Sequence, residues 1–177
     1  MDVVKYKCTV NLPVYSMQLN IDNEQLIKDI IHHREIFPEG EPSNVKAWRS
    51  SYKTHKQTET FDPYIDKILD AVDRVRISDP ESFSRLELCT YKVQDFWALM
   101  YEEGDRTVRH THYPCTWASC YYAYVDEDSA PIKFDRLRIK PKSGTLLLWN
   151  GSLFHSVPET KGKRIAISAN LIIDDFG

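Results

Sequence analysis

The second half of the chain is a succession of short β-prone runs, and this pattern restricts the possible folds more than any other feature. From residue 83 the runs are SRLELCTYKV, DFWALMY, TVRHTH, WASCYYAYV, PIKF, GTLLLWN, LFHSV and RIAISANLII. Turn signals such as Gly104-Asp105 and Asn150-Gly151 separate most of them. Short strands at regular spacing, without helices between them, favour an antiparallel sandwich or jelly roll.

Two amphipathic helices are predicted before this region. The first covers DNEQLIKDIIHHRE at 22–35, where Asp22 can cap the helix and Gln25 completes a capping box. Its apolar face consists of Leu26, Ile27, Ile30 and Ile31. The second covers FDPYIDKILDAVDRV at 61–75, with Asp62 at its cap. Both helices are expected to bury their apolar faces against a flat apolar surface.

These parts together predict a mostly β fold. Its core is a double-stranded β-helix, a cupin-like jelly roll, with the two N-terminal helices packed on one sheet. The run KYKCTVNLPVY at 5–15 is predicted to be a further strand closed by a proline. At 177 residues the chain is long enough to bury a core as one domain. We divide it into a support region at 1–82 and a β-helix core at 83–177.

Composition places the chain among globular proteins. It is 28% charged and 42% hydrophobic with a net charge of −3, so nothing indicates a nucleic acid or a membrane as partner. No apolar run is long enough to span a bilayer, and charged residues interrupt the N-terminal MDVVKYKCTV, unlike a signal peptide. The four cysteines form no C-x-x-C pair and are predicted to be reduced thiols. We therefore expect a cytoplasmic protein.

The run VRHTHYP at 108–114 contains two histidines one residue apart. Residues i and i+2 of a strand point to the same face, so a strand over Val108–His112 would direct His110 and His112 to one spot. A third histidine, His155, lies in the apolar run LFHSV. Imidazole is a common ligand of first-row metals, so these histidines are candidate ligands of one ion. Taken singly, each is also typical of a polar strand face or a hydrogen-bonded core histidine.

Arg164 follows His155 by nine residues, at the head of the next run. The turn at Lys161–Lys163 is expected to bring the two strands side by side, with Arg164 deeper in the barrel. A buried guanidinium needs an anionic partner, because an unpaired buried charge is very costly. No carboxylate of the neighbouring runs is placed for this role, so a bound dicarboxylate is predicted. Beyond Arg164, Ser168 and Asn170 alternate with apolar residues and are expected to face the same cavity.

The pattern H-x-(D/H)…H-x(8)-R on a β-rich chain resembles the iron(II)- and 2-oxoglutarate-dependent oxygenases. VRHTHYP, GTLLLWNGSLFHSV and RIAISAN are most similar to small oxygenases of this superfamily in bacteria and phages. ALMYEEGDRTVRH and SCYYAY resemble strands of prolyl hydroxylases. The resemblance covers roughly residues 45–172. It implies bound iron(II) and 2-oxoglutarate, with dioxygen and a small-molecule or peptide substrate as the other reactants.

The same resemblance implies roles for single residues. His110 corresponds to the first iron ligand of these oxygenases and His155 to the distal one. Arg164 corresponds to the basic residue that binds the far carboxylate of 2-oxoglutarate. Tyr101 and Tyr122 stand where tyrosines face this cosubstrate in prolyl hydroxylases.

The chain departs from the usual pattern at His112. Most of these oxygenases have Asp or Glu there, so this chain would present three histidines to the metal, and no catalytic residue beyond the ligands is predicted. The leading interpretation is an oxygenase that hydroxylates a substrate while releasing succinate and carbon dioxide. A three-histidine dioxygenase without 2-oxoglutarate is an alternative, although it has no general need for Arg164. An inactive metal-binding barrel is another, which the loss of the carboxylate would explain.

Overall fold

The computed structural model describes residues 11–79 and 89–176, with side chains described as far as 174. The two helices are α1 (Asn23–Ile36) and α2 (Asp62–Ser78). The strands are β1 (Val14–Gln18), β2 (Val45–Lys46), β3 (Trp48–Arg49), β4 (Cys89–Tyr101), β5 (Arg106–His110), β6 (Trp117–Val125), β7 (Ile132–Phe134), β8 (Leu137–Ile139), β9 (Thr145–Asn150), β10 (His155–Val157) and β11 (Arg164–Phe176). Short 3₁₀ turns at Thr54–Lys56 and Glu59–Phe61 precede α2.

The strands pair antiparallel and form two sheets. The six-stranded sheet has the order β1-β9-β6-β11-β4-β3, and the five-stranded sheet has the order β2-β5-β10-β7-β8. The mostly β character and the two helices agree with the prediction, and two such sheets are consistent with a jelly roll. Two predicted runs, SRLELCTYKV and DFWALMY, belong to one strand where the structure describes them, namely β4. Leu137–Ile139 is a strand that the sequence did not indicate.

Three strands from the first half of the chain extend these sheets. β1 pairs with β9, β2 with β5, and β3 with β4. The predicted strand at 5–15 is correct only for Val14 and Tyr15 among its described residues, because β1 begins after Pro13 instead of ending there. Residues 5–10 lie outside the described ranges. A proline has no backbone N–H for the ladder, but it is tolerated at the entrance to a strand.

Both helices begin close to the predicted positions. The side chain of Asp22 accepts a hydrogen bond of 3.0 Å from the backbone N–H of Gln25, which confirms the cap of α1. The reciprocal half of the capping box does not form, because the Gln25 amide donates to Asp29 instead. In α2 the predicted cap is wrong by one residue: the capping residue is Phe61, one position earlier than predicted, and Asp62 is the first helical residue.

The buried face of α1 differs from the predicted one. Leu26, Ile30 and His33 are buried, whereas Ile31 is 40% exposed. The spacings of four and three residues keep the buried set on one stripe of the helix, and Ile31 falls beside it. His33 takes the third buried position, where its ring lies 4.8 Å from the Phe37 ring.

The six-stranded sheet is buried on both faces. One face packs against the helices, as predicted, and contributes Phe96, Ala98, Tyr121, Leu146, Leu148, Ile167 and Ala169 to that core. The other face looks toward the five-stranded sheet and contributes Trp97, Leu99, Tyr101, Cys120, Tyr122, Leu147, Trp149 and Ala166. Strand alternation therefore assigns neighbouring residues of β4, β6, β9 and β11 to opposite layers.

Two further observations concern bulk properties. Within residues 11–79 and 89–176, no helix has both the length and the apolar character needed to span a bilayer. Cys89, Cys115 and Cys120 are buried free thiols, as expected for reduced cysteines, and Cys8 lies outside the described residues.

Packing of α2 on the sheet generates a stability prediction. Ile68 is fully buried, whereas Ile77, on the same helix, is 76% exposed. Ile68→Ala should lower the free energy of unfolding by about 2–5 kcal/mol, because it removes buried methylene groups and leaves a cavity. Ile77→Ala, the matched control, should change it by less than about 0.5 kcal/mol. Equal effects of the two substitutions in urea unfolding would contradict this packing.

Candidate functional site

A pocket lies between the two sheets and contains about 470 Å³ of empty space, including its open mouth. The sequence-predicted site residues all line this pocket, namely His110, His112, His155, Arg164, Tyr101 and Tyr122. Ser168 lines it as well, as expected from its alternation along β11, whereas Asn170, expected to face the same cavity, is not among the lining residues. Residues from distant parts of the chain therefore meet in one cavity.

The three histidines converge on one point. Their possible ligand atoms all lie within 4.8 Å of one another. Nε2 of His112 is 3.2 Å from Nε2 of His155, and the ring centroids of His110 and His155 are 4.2 Å apart. Three imidazoles this close form a group that could hold a metal ion.

Two of these histidines are placed by the five-stranded sheet. His110 is the last residue of β5 and His155 the first residue of β10, and the two residues pair directly across the antiparallel ladder. Side chains on directly paired positions lie about 5 Å apart and project to the same side of the sheet. Sheet register alone therefore brings these two imidazoles together.

His112 reaches the same point by another route than predicted. Strand β5 ends at His110, so the expected strand over Val108–His112 stops two residues early. A turn follows, in which the backbone N–H of His112 donates to the carbonyl of Gly151 over 2.8 Å and its carbonyl accepts from Cys115 N–H over 2.9 Å. These loop hydrogen bonds, and not strand alternation, direct the ring into the pocket.

Backbone carbonyls set the orientation of two rings. Nδ1 of His110 is 2.8 Å from the carbonyl of Val108, and Nδ1 of His155 is 3.1 Å from the carbonyl of Leu153. Because a carbonyl can only accept, Nδ1 carries the proton in both rings, and Nε2 presents a lone pair. Metal-binding histidines commonly have this arrangement.

The histidines are held in the neutral form that binds metals. Burial, followed by the nearby His110, lowers the pKa of His155 to about 4. Burial, followed by the neighbouring His155 and His110, lowers the pKa of His112 to about 2, although the Asn170 side chain opposes this shift. Burial also lowers the pKa of His110. A metal would therefore displace few protons from this group near neutral pH.

Two tryptophans enclose the histidine cluster. Trp97 stacks on His112 with ring centroids 5.9 Å apart, and the Trp149 ring lies 5.0 Å from that of His155. Both line the pocket. Arg109, adjacent to His110, points away and lies over the exposed Phe154 ring, as alternation along the strand predicts.

Arg164 lies in the same pocket and is only 2% exposed. Its Nη2 donates to the carbonyl of Ala130 over 3.0 Å, and its guanidinium lies 4.6 Å from the centre of the Tyr101 ring. Its Nε is buried without a hydrogen-bond partner, and it forms no ion pair with any described carboxylate. The charge is thus only partly compensated by the part of the protein that the structure describes.

The predicted relation of Arg164 to His155 is wrong in one respect. Strand β10, which carries His155, belongs to the five-stranded sheet, whereas β11, which carries Arg164, belongs to the six-stranded sheet. The two strands therefore lie in opposite walls of the pocket instead of pairing side by side. The connection between them crosses from one sheet to the other, which the spacing of nine residues does not reveal.

Another buried arginine of this fold has hydrogen-bond and ion-pair partners around its guanidinium. Arg49 is 1% exposed, and its Nε donates to the Ser43 hydroxyl and its Nη1 to the Ser50 carbonyl over 2.6 Å. Its Nη2 forms an ion pair of 3.3 Å with the Glu41 carboxylate. Arg164 has no such set, so its remaining N–H groups are available to an anionic ligand of the pocket.

The two tyrosines are buried beside Arg164. The Tyr101 hydroxyl is hydrogen-bonded to that of Thr107, and burial raises the pKa of Tyr101 to about 12. Burial also raises the pKa of Tyr122 well above its ordinary value. Both phenols therefore stay protonated and can donate. Thr107 was not singled out in the sequence, because strand alternation places it on the face opposite to His110. The ladder between β5 and β10 is irregular between these two positions, and both residues line the pocket.

Comparisons with known proteins agree with this architecture. The chain matches no protein-family profile and no curated protein. Among solved structures, it is similar to the 2-oxoglutarate complex of the viral collagen prolyl hydroxylase from Paramecium bursaria Chlorella virus-1, with 17% identity, a TM-score of 0.62, and coverage of 89% of this chain and 94% of that one.

Two other prolyl hydroxylases have a similar structure. The prolyl-4-hydroxylase of Pseudomonas putida has 16% identity and a TM-score of 0.61, with 92% of this chain and 93% of that one covered. The prolyl hydroxylase of Trichoplax adhaerens, solved with a hypoxia-inducible-factor peptide fragment, has 15% identity and a TM-score of 0.57, with 92% and 83% covered. The chain therefore shares the fold of prolyl hydroxylases over most of its length.

The lowered histidine pKa values generate a prediction about stability and pH. In the unfolded chain, His112 and His155 bind protons near the ordinary histidine pKa of 6.5. In the folded protein both stay neutral at that pH, because their pKa values are lowered. For the metal-free protein, the free energy of unfolding should therefore fall as the pH drops from about 7 towards about 4, by up to about 1.4 kcal/mol per pH unit for each such proton.

The matched variants are His155→Asn and His32→Asn. The first should flatten this slope in urea unfolding, because it removes a group that stays neutral when folded. The second replaces a surface histidine whose side chain is 74% exposed and should leave the slope nearly unchanged. His33 and His55, whose pKa values burial also lowers, contribute equally to the pH slope of both variants. An identical slope for wild type and His155→Asn would refute the prediction.

Proposed function

We propose that this protein is an iron(II)- and 2-oxoglutarate-dependent oxygenase, with hydroxylation of a substrate as its reaction. The observation that carries the proposal is a single pocket with three neutral, converging imidazoles and a buried arginine whose charge is only partly compensated. Neither feature would stabilise the protein in the absence of a metal ion and an anionic ligand, because both leave polar groups buried with too few hydrogen-bond partners.

The histidines fit a metal ion. His110, His112 and His155 would hold iron(II) through Nε2, since Nδ1 of two of them is already engaged by carbonyls. Two bare nitrogen lone pairs 3.2 Å apart, as on His112 and His155, repel each other unless a proton or a cation lies between them. Three protein ligands on one face leave the remaining positions of an octahedral ion for other ligands.

Arg164 fits the far carboxylate of 2-oxoglutarate. A guanidinium binds a carboxylate through two parallel N–H bonds, and the unpartnered Nε is one of the required donors. Tyr101 and Tyr122 are protonated neighbours that would complete the hydrogen bonds of this carboxylate. The hydrogen bond from Nη2 to Ala130 and the Tyr101 ring hold the guanidinium in place before the ligand arrives.

When bound, iron(II) and 2-oxoglutarate would supply dioxygen activation, with succinate and carbon dioxide as co-products of substrate oxidation. The chain's own residues would position the reactants and shield the pocket from water. Trp97, Trp149 and Leu99 line the pocket and exclude water from it. The partly exposed His110 and His112 mark the side open to substrate, because Arg164 and the tyrosines are buried at the other side.

Two finer points belong to the same proposal. The two sheets would form a double-stranded β-helix, the architecture predicted from the strand pattern. The substrate would be a peptide or a small molecule that reaches the histidines from the mouth; the peptide bound by the similar Trichoplax enzyme favours the first. A three-histidine dioxygenase without 2-oxoglutarate would leave Arg164 with its incomplete set of partners and is less well supported.

The metal site is tested by three single substitutions. His110→Ala, His112→Ala and His155→Ala should each weaken iron(II) binding, by about tenfold or more, because each removes one ligand. Binding is measured anaerobically by titration of the metal-free protein. His32→Ala, at an exposed position of α1, serves as the control and should bind like the parent. If His112→Ala binds iron(II) like the parent while the other two do not, the site has only two histidine ligands.

Arg164→Ala tests the use of 2-oxoglutarate. Loss of a charge-assisted bidentate contact should weaken 2-oxoglutarate binding by about 10- to 100-fold, on the order of 1.5–3 kcal/mol, with iron(II) binding nearly unchanged. Succinate formation from 2-oxoglutarate by the iron-loaded variant should fall in parallel, relative to the iron-loaded parent. Arg109→Ala, which alters an arginine that points away from the pocket, is the matched control. Unchanged 2-oxoglutarate affinity in Arg164→Ala would overturn the proposal while leaving the metal site intact.

A further inference from the structure

Asn170 is a buried polar residue at the edge of the histidine cluster. It is 7% exposed, follows Ser168 on the pocket-facing side of β11 and pairs with Asp95 on β4. Its Nδ2 donates to Oδ2 of Asp95 over 3.0 Å. Its Oδ1 is buried and has no hydrogen-bond partner among the described residues, and the ring with which this side chain interacts electrostatically is that of His112.

The orientation of the Asn170 amide follows from its neighbours. The Asp95 side chain also accepts from Lys53 Nζ over 2.7 Å, and this ion pair holds the carboxylate in place. A carboxylate can only accept hydrogen bonds, so the NH₂ group of Asn170 must face Asp95. The amide oxygen must then point the other way, towards His112.

The tautomer of His112 follows in turn. An amide oxygen can only accept, so the ring nitrogen that faces it must carry the proton. Nε2 of His112 already faces Nε2 of His155, which leaves Nδ1 for Asn170. We propose that Asn170, oriented by Asp95 and Lys53, is a positioning residue that keeps the proton of His112 on Nδ1 and so leaves Nε2 free to bind a metal.

This inference rests on the proposed function for the role of His112 as a ligand, but its physical content is separate. His110 and His155 have backbone carbonyls as Nδ1 partners, whereas the described backbone offers none to the His112 ring. Asn170 would supply the missing acceptor. The simpler interpretation, a core amide that serves only Asp95, leaves the oxygen of Asn170 unused in a buried place, which is costly.

The opposite tautomer gives a distinct outcome. Without an acceptor at Nδ1, the proton of His112 would move to Nε2 and donate to the bare Nε2 of His155 across the 3.2 Å gap. That internal hydrogen bond would occupy two of the three candidate ligand atoms. Metal binding would then have to displace it, so the affinity of the whole site depends on a residue that does not touch the metal.

The test is nitrogen NMR of the metal-free protein with ¹⁵N-labelled histidine, which distinguishes the two tautomers of each ring. The parent should show all three pocket histidines protonated on Nδ1. In Asn170→Leu, only His112 should shift to the Nε2–H form, and Co(II) and iron(II) affinity should fall by about 10- to 100-fold. An Nε2–H tautomer for His112 in the parent, or unchanged tautomer and affinity in Asn170→Leu, would overturn the inference.

A swap and a control separate this role from a loss of folding. The double variant Asp95→Asn/Asn170→Asp reverses the donor and acceptor between the two strands but keeps an acceptor oxygen at His112, so it should restore the Nδ1–H form and most of the affinity. Ser119→Ala removes another buried hydrogen bond, to the Ala169 carbonyl, without touching the pocket, and should change neither readout. Failure of the swap to restore the tautomer would count against the inference.

These outcomes are distinguishable from failure of the proposed function. If the parent binds no iron(II), the oxygenase proposal fails, whereas the tautomer measurement on the metal-free protein still decides the role of Asn170. If metal binds but His112→Ala has no effect on affinity, His112 is no ligand, and the affinity effect expected for Asn170→Leu must also be absent.

Discussion

The structure depends on a six-stranded sheet that is buried on both faces. Helices cover one face and the pocket lies on the other, so each residue of β4, β6, β9 and β11 belongs to one layer or the other by strand alternation. The same β11 ladder that packs Ile167 against the helices carries Arg164 and Ser168 into the pocket. A one-residue slip of this strand would exchange the two sets, so core packing maintains the site.

Charge is distributed unusually in the pocket. Three neutral imidazoles converge in it, and Arg164 adds a cation that is only partly compensated. Under the proposed function, the imidazoles would stand where the resembled oxygenases have two histidines and a carboxylate. With a divalent metal bound, the site would be more positive by one charge than its carboxylate-containing counterparts. A dianionic cosubstrate would then contribute a larger share of the electrostatic stabilisation, which links metal and 2-oxo acid binding more closely.

Local pattern was a reliable guide where neighbours along the chain decide the structure. The β-runs and the Asp22 cap follow from spacing and alternation and were predicted, whereas the places of Tyr101 and Tyr122 in the pocket were expected only from the resemblance to prolyl hydroxylases. Ile31 was misassigned because the helix stripe is narrow and His33 packs against the rings of Trp48 and Phe61, which only the fold brings near. The pairing expected for the strands of His155 and Arg164 failed because a short connection can cross between sheets as readily as return in a hairpin.

The sequence by itself determined which side chains meet: three histidines and an arginine whose spacing on β-runs indicates a metal and an anion. The tertiary structure alone decided how they meet. His112 enters the pocket through a turn bonded to Gly151, and the Asn170 amide is oriented by the Asp95 carboxylate on another strand. Strand period is a property of neighbouring residues, whereas hydrogen-bond partners across loops and sheets depend on contacts between residues far apart in the chain, which no local pattern encodes.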